Sequence, residues 1–242
     1  MNPEHVADAL QRFAETNKVR LTNYARRESQ LLELGAMLLA VTHYERAGYM
    51  VAPFNAAGGE FSVNLSSRGK PWNFSYWQVR RQDEEFFIYT NLAIDSACGT
   101  DDGIYVVDVA VTKRAVELPA RSADWQSVPN SEVVTFLEAK RLVVYPMLLA
   151  QFVGIVHEIK PQFLNGSRPR GFLKSHHFDP ALVSIGYIHG RSKSIVHGYV
   201  ERRFRLTILG NADIAIAKVN RDAKAASPLG RKVGRVGPID TD

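Results

Sequence analysis

The stretch "EVVTFLEAKRL", residues 132–142, decides how this chain folds. Val133 to Leu137 carry no charge and have the length and branching of a buried strand. Glu138 and Lys140 then arrive while the strand is still running. Side chains alternate along a strand, so these two project to the same face, behind Val134 and Phe136, with the small Ala139 opposite. A charged group at the end of a core strand is expensive unless it is paired, hydrogen-bonded or bound to metal.

A second charge of the same kind lies upstream, in "GTDDGIYVVDVAVTK", residues 99–113. Residues 104–111 are apolar on both faces except for Asp108. Alternation puts Ile104, Val106, Asp108 and Ala110 on one face, and a strand apolar on both sides belongs in a sheet covered on both sides. The plainer reading of Asp108 is a strand-end aspartate satisfied by backbone amides. Two other positions compete for the role of the first acid. Asp101 and Asp102 read best as a turn entering the strand, and Asp95 in "LAIDSACG" reads as the end of the preceding strand. Asp108 is favoured because both of its neighbours are valine.

The rest of the chain supplies an α/β frame for these strands. Residues 3–16 read as a short amphipathic helix, and residues 26–47 as a longer one with Leu31, Leu34, Leu38 and Val41 on its apolar stripe and Gly48 closing it. "YMVAPF", "EFSVNL", "WNFSYWQV" and "FFIYTNL" read as strands separated by turns. A loop of about twenty residues with Pro119, Trp125 and Pro129 leads to the opening stretch. Residues 143–160 read as an apolar helix, with Pro146 in its first turn and Pro161 ending it. "ALVSIGYIHG" and "SIVHGYVERRFRLTIL" read as a closing β-hairpin over about residues 180–210. Residues 217–242 hold six Lys or Arg, three Asp and few large apolar groups, and read as a flexible basic tail after a single domain over residues 1–216.

If the Asp108 strand lies beside the Glu138 strand, two acids and an amine meet at one end of an apolar sheet. Two carboxylates suit a hard divalent cation such as Mg²⁺ or Mn²⁺, and an adjacent lysine suits the charge that grows on a phosphate. At this point the sequence resembles the PD-(D/E)XK nucleases, the superfamily with the restriction endonuclease-like fold. "YVVDVAV" is similar to its acid-bearing second core strand, "VVTFLEAKRL" to its E-x-K strand, and "YPMLLAQFVGIVHEI" to the helix that follows. The resemblance covers about residues 28–160. It implies a mixed central sheet flanked by helices, here with extra antiparallel strands. It also implies Asp108 and Glu138 as metal ligands, Lys140 as the residue at the phosphate, and a further helical acid, Glu33 or alternatively Glu28. The "D…EAK" gap is similar to that of effector nucleases of antiphage defence. The implied partners are nucleic acid, DNA first, and a second copy of the chain or a companion defence protein. Val107 stands where the family often has proline or glycine, and the last third of the chain matches no part of the pattern.

Composition limits the alternatives. A chain of 242 residues with 45% hydrophobic residues buries a full core. The net charge of +5 permits contact with nucleic acid without requiring it. Cys98 is the only cysteine, so no intramolecular disulfide forms, in keeping with a reducing, cytoplasmic setting; as a lone thiol it reads as inert. The N-terminus is polar rather than a signal sequence, and the longest apolar run, residues 142–156, is too short to span a bilayer. No phosphate-cradling P-loop is present. "SHHFD", with His176 and His177, reads as a loop with solvated imidazoles, and "GRSKS" as a polar hairpin turn. Basic clusters at Arg80–Arg81, Lys113–Arg114, Arg168–Lys174, Arg191–Lys193 and Arg202–Arg203, with Trp72, Tyr76, Trp77 and Trp125 nearby, suit either a nucleic-acid surface or an ordinary solvated face. Two rivals to a nuclease remain: a catalytically silent module on the same scaffold that binds nucleic acid or a protein, and a structural protein in which Asp108, Glu138 and Lys140 form a buried ion network.

Overall fold

The computed structural model describes residues 3–18, 20–22, 28–54, 60–98, 103–117, 127–165, 176–196, 204–219 and 227–230. Asp101, Asp102, Trp125, Arg168, Arg170, Lys174, His197, Arg202, Arg203 and most of the basic tail lie outside them. The strands are β1 (Arg20–Thr22), β2 (Met50–Phe54), β3 (Glu60–Ser62), β4 (Tyr76–Arg81), β5 (Glu84–Asp95), β6 (Ile104–Thr112), β7 (Val133–Lys140), β8 (Ala181–Ser184) and β9 (Thr207–Leu209). The helices are α1 (Pro3–Thr16), α2 (Glu28–Arg46), α3 (Pro146–Ile159), α4 (Gly190–Ile195) and α5 (Ala212–Val219).

A mixed seven-stranded sheet runs in the order β2-β4-β5-β6-β7-β8-β9, while β1 and β3 pair separately. From β2 to β7 neighbours are antiparallel; β7, β8 and β9 are parallel. Helices cover both faces, as strands apolar on both sides require. On one face α2 crosses β5, β6 and β7 and packs between the sheet and the pair α1 and α5. Its residues from Leu32 to Tyr44 are therefore buried nearly all round, well beyond the single stripe that spacing suggests. Gly48, at φ +82°, ends the helix in the left-handed conformation that glycine adopts most cheaply. On the other face α3 presents Leu148, Leu149, Phe152, Val156 and Ile159 to the sheet.

Three expectations fail here. The closing β-hairpin is absent: β8 and β9 are parallel, and α4 occupies the "GRSKS" segment between them. Both flanking segments carry the short apolar runs of buried strands, and such runs do not distinguish a tight antiparallel turn from a parallel crossover. The tail does not begin at residue 217 as a free segment. Helix α5 continues to Val219, and Leu229 and Ser227 pack back on the domain. There His43 donates through Nε2 to the His176 carbonyl at 2.8 Å and accepts from the Ser227 hydroxyl at Nδ1, 2.9 Å away. Lastly, His176 and His177 are half-buried rather than solvated; His177 lies 2.8 Å from the Tyr44 hydroxyl and edge-on to Phe86.

The chain leaving β7 is clamped by a close approach at Gly186. A Cβ built there would stand 2.5 Å from the Leu142 carbonyl oxygen and 2.6 Å from Val143 Cα, both backbone atoms that cannot rotate away. Gly186→Ala is expected to destabilise the fold by about 1–3 kcal/mol, read as a lower urea midpoint at unchanged slope.

Candidate active site

Strands β6 and β7 pair from Thr112↔Val133 to Val109↔Leu137 and then part. Beyond that point β6 continues with β5 alone, through Leu92↔Val107 to Asp95↔Ile104. β7 continues with β8 alone, through Glu138↔Leu182 to Lys140↔Ser184. Asp108 and Glu138 are the first residues past the last paired rung, so the two acids face each other across a fork in the sheet. A fork leaves backbone amides without ladder partners. The Asp108 carboxylate meets one of them, accepting from the Ala139 N–H at 2.6 Å, as the plainer reading of Asp108 anticipated.

Lys140 turns into the fork. Its ammonium donates to Glu138 Oε2 at 2.6 Å and stands 3.5 Å from Asp108 Oδ2. Glu138 is buried, 3% exposed, and its second oxygen, Oε1, has no hydrogen-bond partner among the described residues. Burial first, and the neighbouring Asp108 charge second, push the Glu138 carboxyl up to about 7. Burial opposes the charge on Lys140, but Glu138 and then Asp108 outweigh it and raise its pKa. The spacing rule for Glu138 and Lys140 thus holds, while the shared face of Val134 and Phe136 does not. A bulge between Val111 and Thr112 leaves Val134 as an extra residue, so Val134 packs on the α2 side and Phe136 on the α3 side.

Helix α2 supplies Glu33 above the fork. Its carboxyl is raised, by burial first, and it senses the charges of Asp108 and Lys140. Glu28, the alternative, is the first residue of α2, more than one helical turn away along the axis. The structure therefore brings Glu33, Asp108, Glu138 and Lys140 into one electrostatic cluster. Asp95 is not part of it: its carboxylate takes the Ser127 hydroxyl.

Sequence reasoning missed Asn91. The β5–β6 register runs Thr90↔Val109, Leu92↔Val107, so Asn91 stands level with Asp108. It adopts a left-handed φ of +47° inside a strand, a conformation asparagine tolerates better than most residues. Its Nδ2 donates to Glu33 Oε2 at 2.9 Å and to the Asn64 carbonyl at 3.0 Å, and the Asn64 side chain donates back to the Asn91 carbonyl at 3.1 Å. This lock fixes Glu33 over the fork. The available signal was an amide interrupting the apolar run "FFIYTNLAID".

The donor set fits a hard divalent cation. With all three carboxylates ionised, one ammonium leaves two negative charges, and one buried oxygen has no hydrogen-bond partner among the described residues. The Lys140 ammonium stands between Glu138 and Asp108, close to where a cation shared by them would sit, so loading requires the lysine to move outward. The three acids are also less tightly gathered than Cys98, His157 and Glu158, whose ligand atoms all lie within 4.8 Å of one another.

Several proposed nucleic-acid contacts are engaged elsewhere. Arg80 pairs with Glu85, Arg81 with Glu84, and Arg114 with Glu132, while Trp77 is buried against Phe61 and Phe13. Among the described residues no helix is long and apolar enough to cross a membrane. Comparison of the chain with family models, curated proteins and solved structures finds no match.

Proposed function

We propose that the chain is a divalent-metal-dependent nuclease that hydrolyses phosphodiester bonds, with DNA as its first substrate. The observation that carries this reading is the fork that gathers Asp108, Glu138 and Lys140 and leaves Glu138 Oε1 buried without a partner among the described residues. Asp108 and Glu138 would hold the ion, and Glu33, fixed by Asn91, would add a contact to it or to its water shell. A bound Mg²⁺ or Mn²⁺ supplies Lewis acidity toward a phosphoryl oxygen and lowers the pKa of water beside it. Lys140, displaced from between the acids, is close enough to place its charge against the non-bridging phosphate oxygens as negative charge grows there. The restriction endonuclease-like fold is part of the same proposal, supported by the order of helix α2, strands β6 and β7, and helix α3. Action in antiphage defence is the biological setting we attach, on the strength of the "D…EAK" spacing alone.

One observation favours a second reading. Because Lys140 already neutralises part of the acid pair, the fork is also compatible with a silent module that binds nucleic acid without cutting it. Supercoiled plasmid and single-stranded RNA, each incubated with the full chain and Mg²⁺ or Mn²⁺, separate the two. The nuclease reading expects plasmid to be nicked or linearised and EDTA to stop the reaction. Salt-sensitive binding with no cleavage of either substrate in either metal would overturn it in favour of the silent module.

A further inference from the structure

A different set of side chains lies where the segment after β5 meets the end of α3. Cys98 follows β5, and His157 and Glu158 sit in the last turn of α3. Cys98 Sγ stands 3.8 Å from His157 Nδ1, and the same nitrogen stands 3.4 Å from Glu158 Oε1. Ligand atoms around a tetrahedral zinc, at about 2.3 Å for sulfur and about 2.0–2.1 Å for nitrogen or oxygen, are separated by about 3.3–3.6 Å. Two of the three separations are close to that spacing, and all three ligand atoms lie within 4.8 Å of one another.

Two independent features support a cation at this point. Ser96 Oγ donates to Glu158 Oε2 at 2.9 Å, which orients the carboxylate and leaves Oε1 as the atom facing His157. Outer hydrogen bonds of this kind fix ligands in metal sites. The cluster also lies at the C-terminal end of α3, where the aligned peptide dipoles favour positive charge. The Ala97 N–H bonds the Glu158 carbonyl, so the loop carrying Cys98 is held against the helix end by its own backbone.

We propose that Cys98, His157 and Glu158 bind a thiophilic divalent cation of the Zn²⁺ class, with solvent in the fourth position. A thiolate and an imidazole select Zn²⁺ or Co²⁺ over the hard Mg²⁺ expected at the fork, so the two sites differ in the metal they take. Binding adds a second tie, beside the Ala97–Glu158 backbone bond, between the segment after β5 and α3, 59 residues apart at Cys98 and His157. The exposed thiol becomes a metal ligand and loses reactivity toward alkylating agents.

The test is titration of the reduced full-length chain with Co²⁺, carried out in the Glu138→Gln background so that the fork does not compete. The expected result is a thiolate-to-cobalt charge-transfer band that saturates at one ion per chain and disappears on adding Zn²⁺. Cys98→Ser should lose the band, His157→Ala should lose it or weaken binding beyond the titration range, and Ser96→Ala should weaken binding by about 10–100-fold. Zn²⁺ should also slow alkylation of Cys98. Absence of the band in the Glu138→Gln chain, or its persistence in Cys98→Ser, would overturn the assignment. Because neither readout uses nuclease activity, failure of the nuclease reading leaves this result interpretable.

Discussion

Glu138→Gln and Lys140→Ala are each expected to lower metal-dependent plasmid cleavage by at least about 10²–10³-fold, with the far-ultraviolet dichroism of the chain unchanged. The two substitutions remove different things. Glutamine at 138 keeps the volume and one carbonyl oxygen but takes away the charge that would hold the ion. Alanine at 140 leaves both acids and the ion they bind, and takes away the cation that meets the phosphate. Mg²⁺ should therefore still raise the melting temperature of the Lys140→Ala chain, and should no longer do so for Glu138→Gln. Cleavage that persists in both variants would sink the nuclease reading. Equal loss of the Mg²⁺ effect in both would sink the division of roles between ligand and phosphate contact.

The second large effect concerns stability, and its direction opposes the first. The Glu138 carboxyl is raised from the ordinary 4.5 to about 7, by burial first and then by Asp108. Across that window the folded chain keeps a proton that the unfolded chain has released. The folded state binds more protons there, so the Glu138 contribution makes stability fall as pH rises from about 4.5 to about 7, and then level off. Glu33, also raised by burial, acts with the same sign. Lys140 does not oppose this within the window. Its pKa is raised, so what it adds is complete below its ordinary value of 10.5 and is lost only at higher pH. Glu138→Gln should abolish most of the decline and leave the chain about 1–3 kcal/mol more stable than the natural one at pH 8 without metal. Lys140→Ala should destabilise it, because the acids then lose the one close ammonium among the described residues. Urea titrations at pH 5, 6, 7 and 8, in EDTA, measure both. A structural ion network predicts destabilisation by either change, so a Gln variant less stable than the natural chain at pH 8 would favour that rival. Acids held together at a cost to the fold are what a cation-binding fork requires, and are hard to explain as a scaffold.

Much of this was legible before any coordinates. The alternation rule placed Glu138 and Lys140 on one face, the apolar context marked Asp108 as exceptional, and the leucine spacing placed a helix where α2 lies. These are local properties, set by the period of a strand or helix and by the cost of burying charge. Asn91 was not legible, because its role depends on a left-handed residue inside β5 that brings its amide under Glu33. The Cys98 cluster was passed over because its three ligand atoms come from segments 59 residues apart that meet only when the β5–β6 loop docks on the end of α3. The supposed hairpin failed for a related reason: an apolar run records that a strand is buried, but not whether the next strand runs with or against its neighbour.

The sequence by itself determined the core strands and the two long helices that flank them, and that two acids and a lysine are available to share one end of the sheet, because hydrophobic period and the penalty for buried charge act within a few residues. Only the tertiary structure decided that β6 and β7 separate just past Val109↔Leu137, that Lys140 lies between the carboxylates, and that Glu138 Oε1 is left without a partner among the described residues. Those facts depend on where two strands stop exchanging hydrogen bonds, which is set by the strands and helices packed around them.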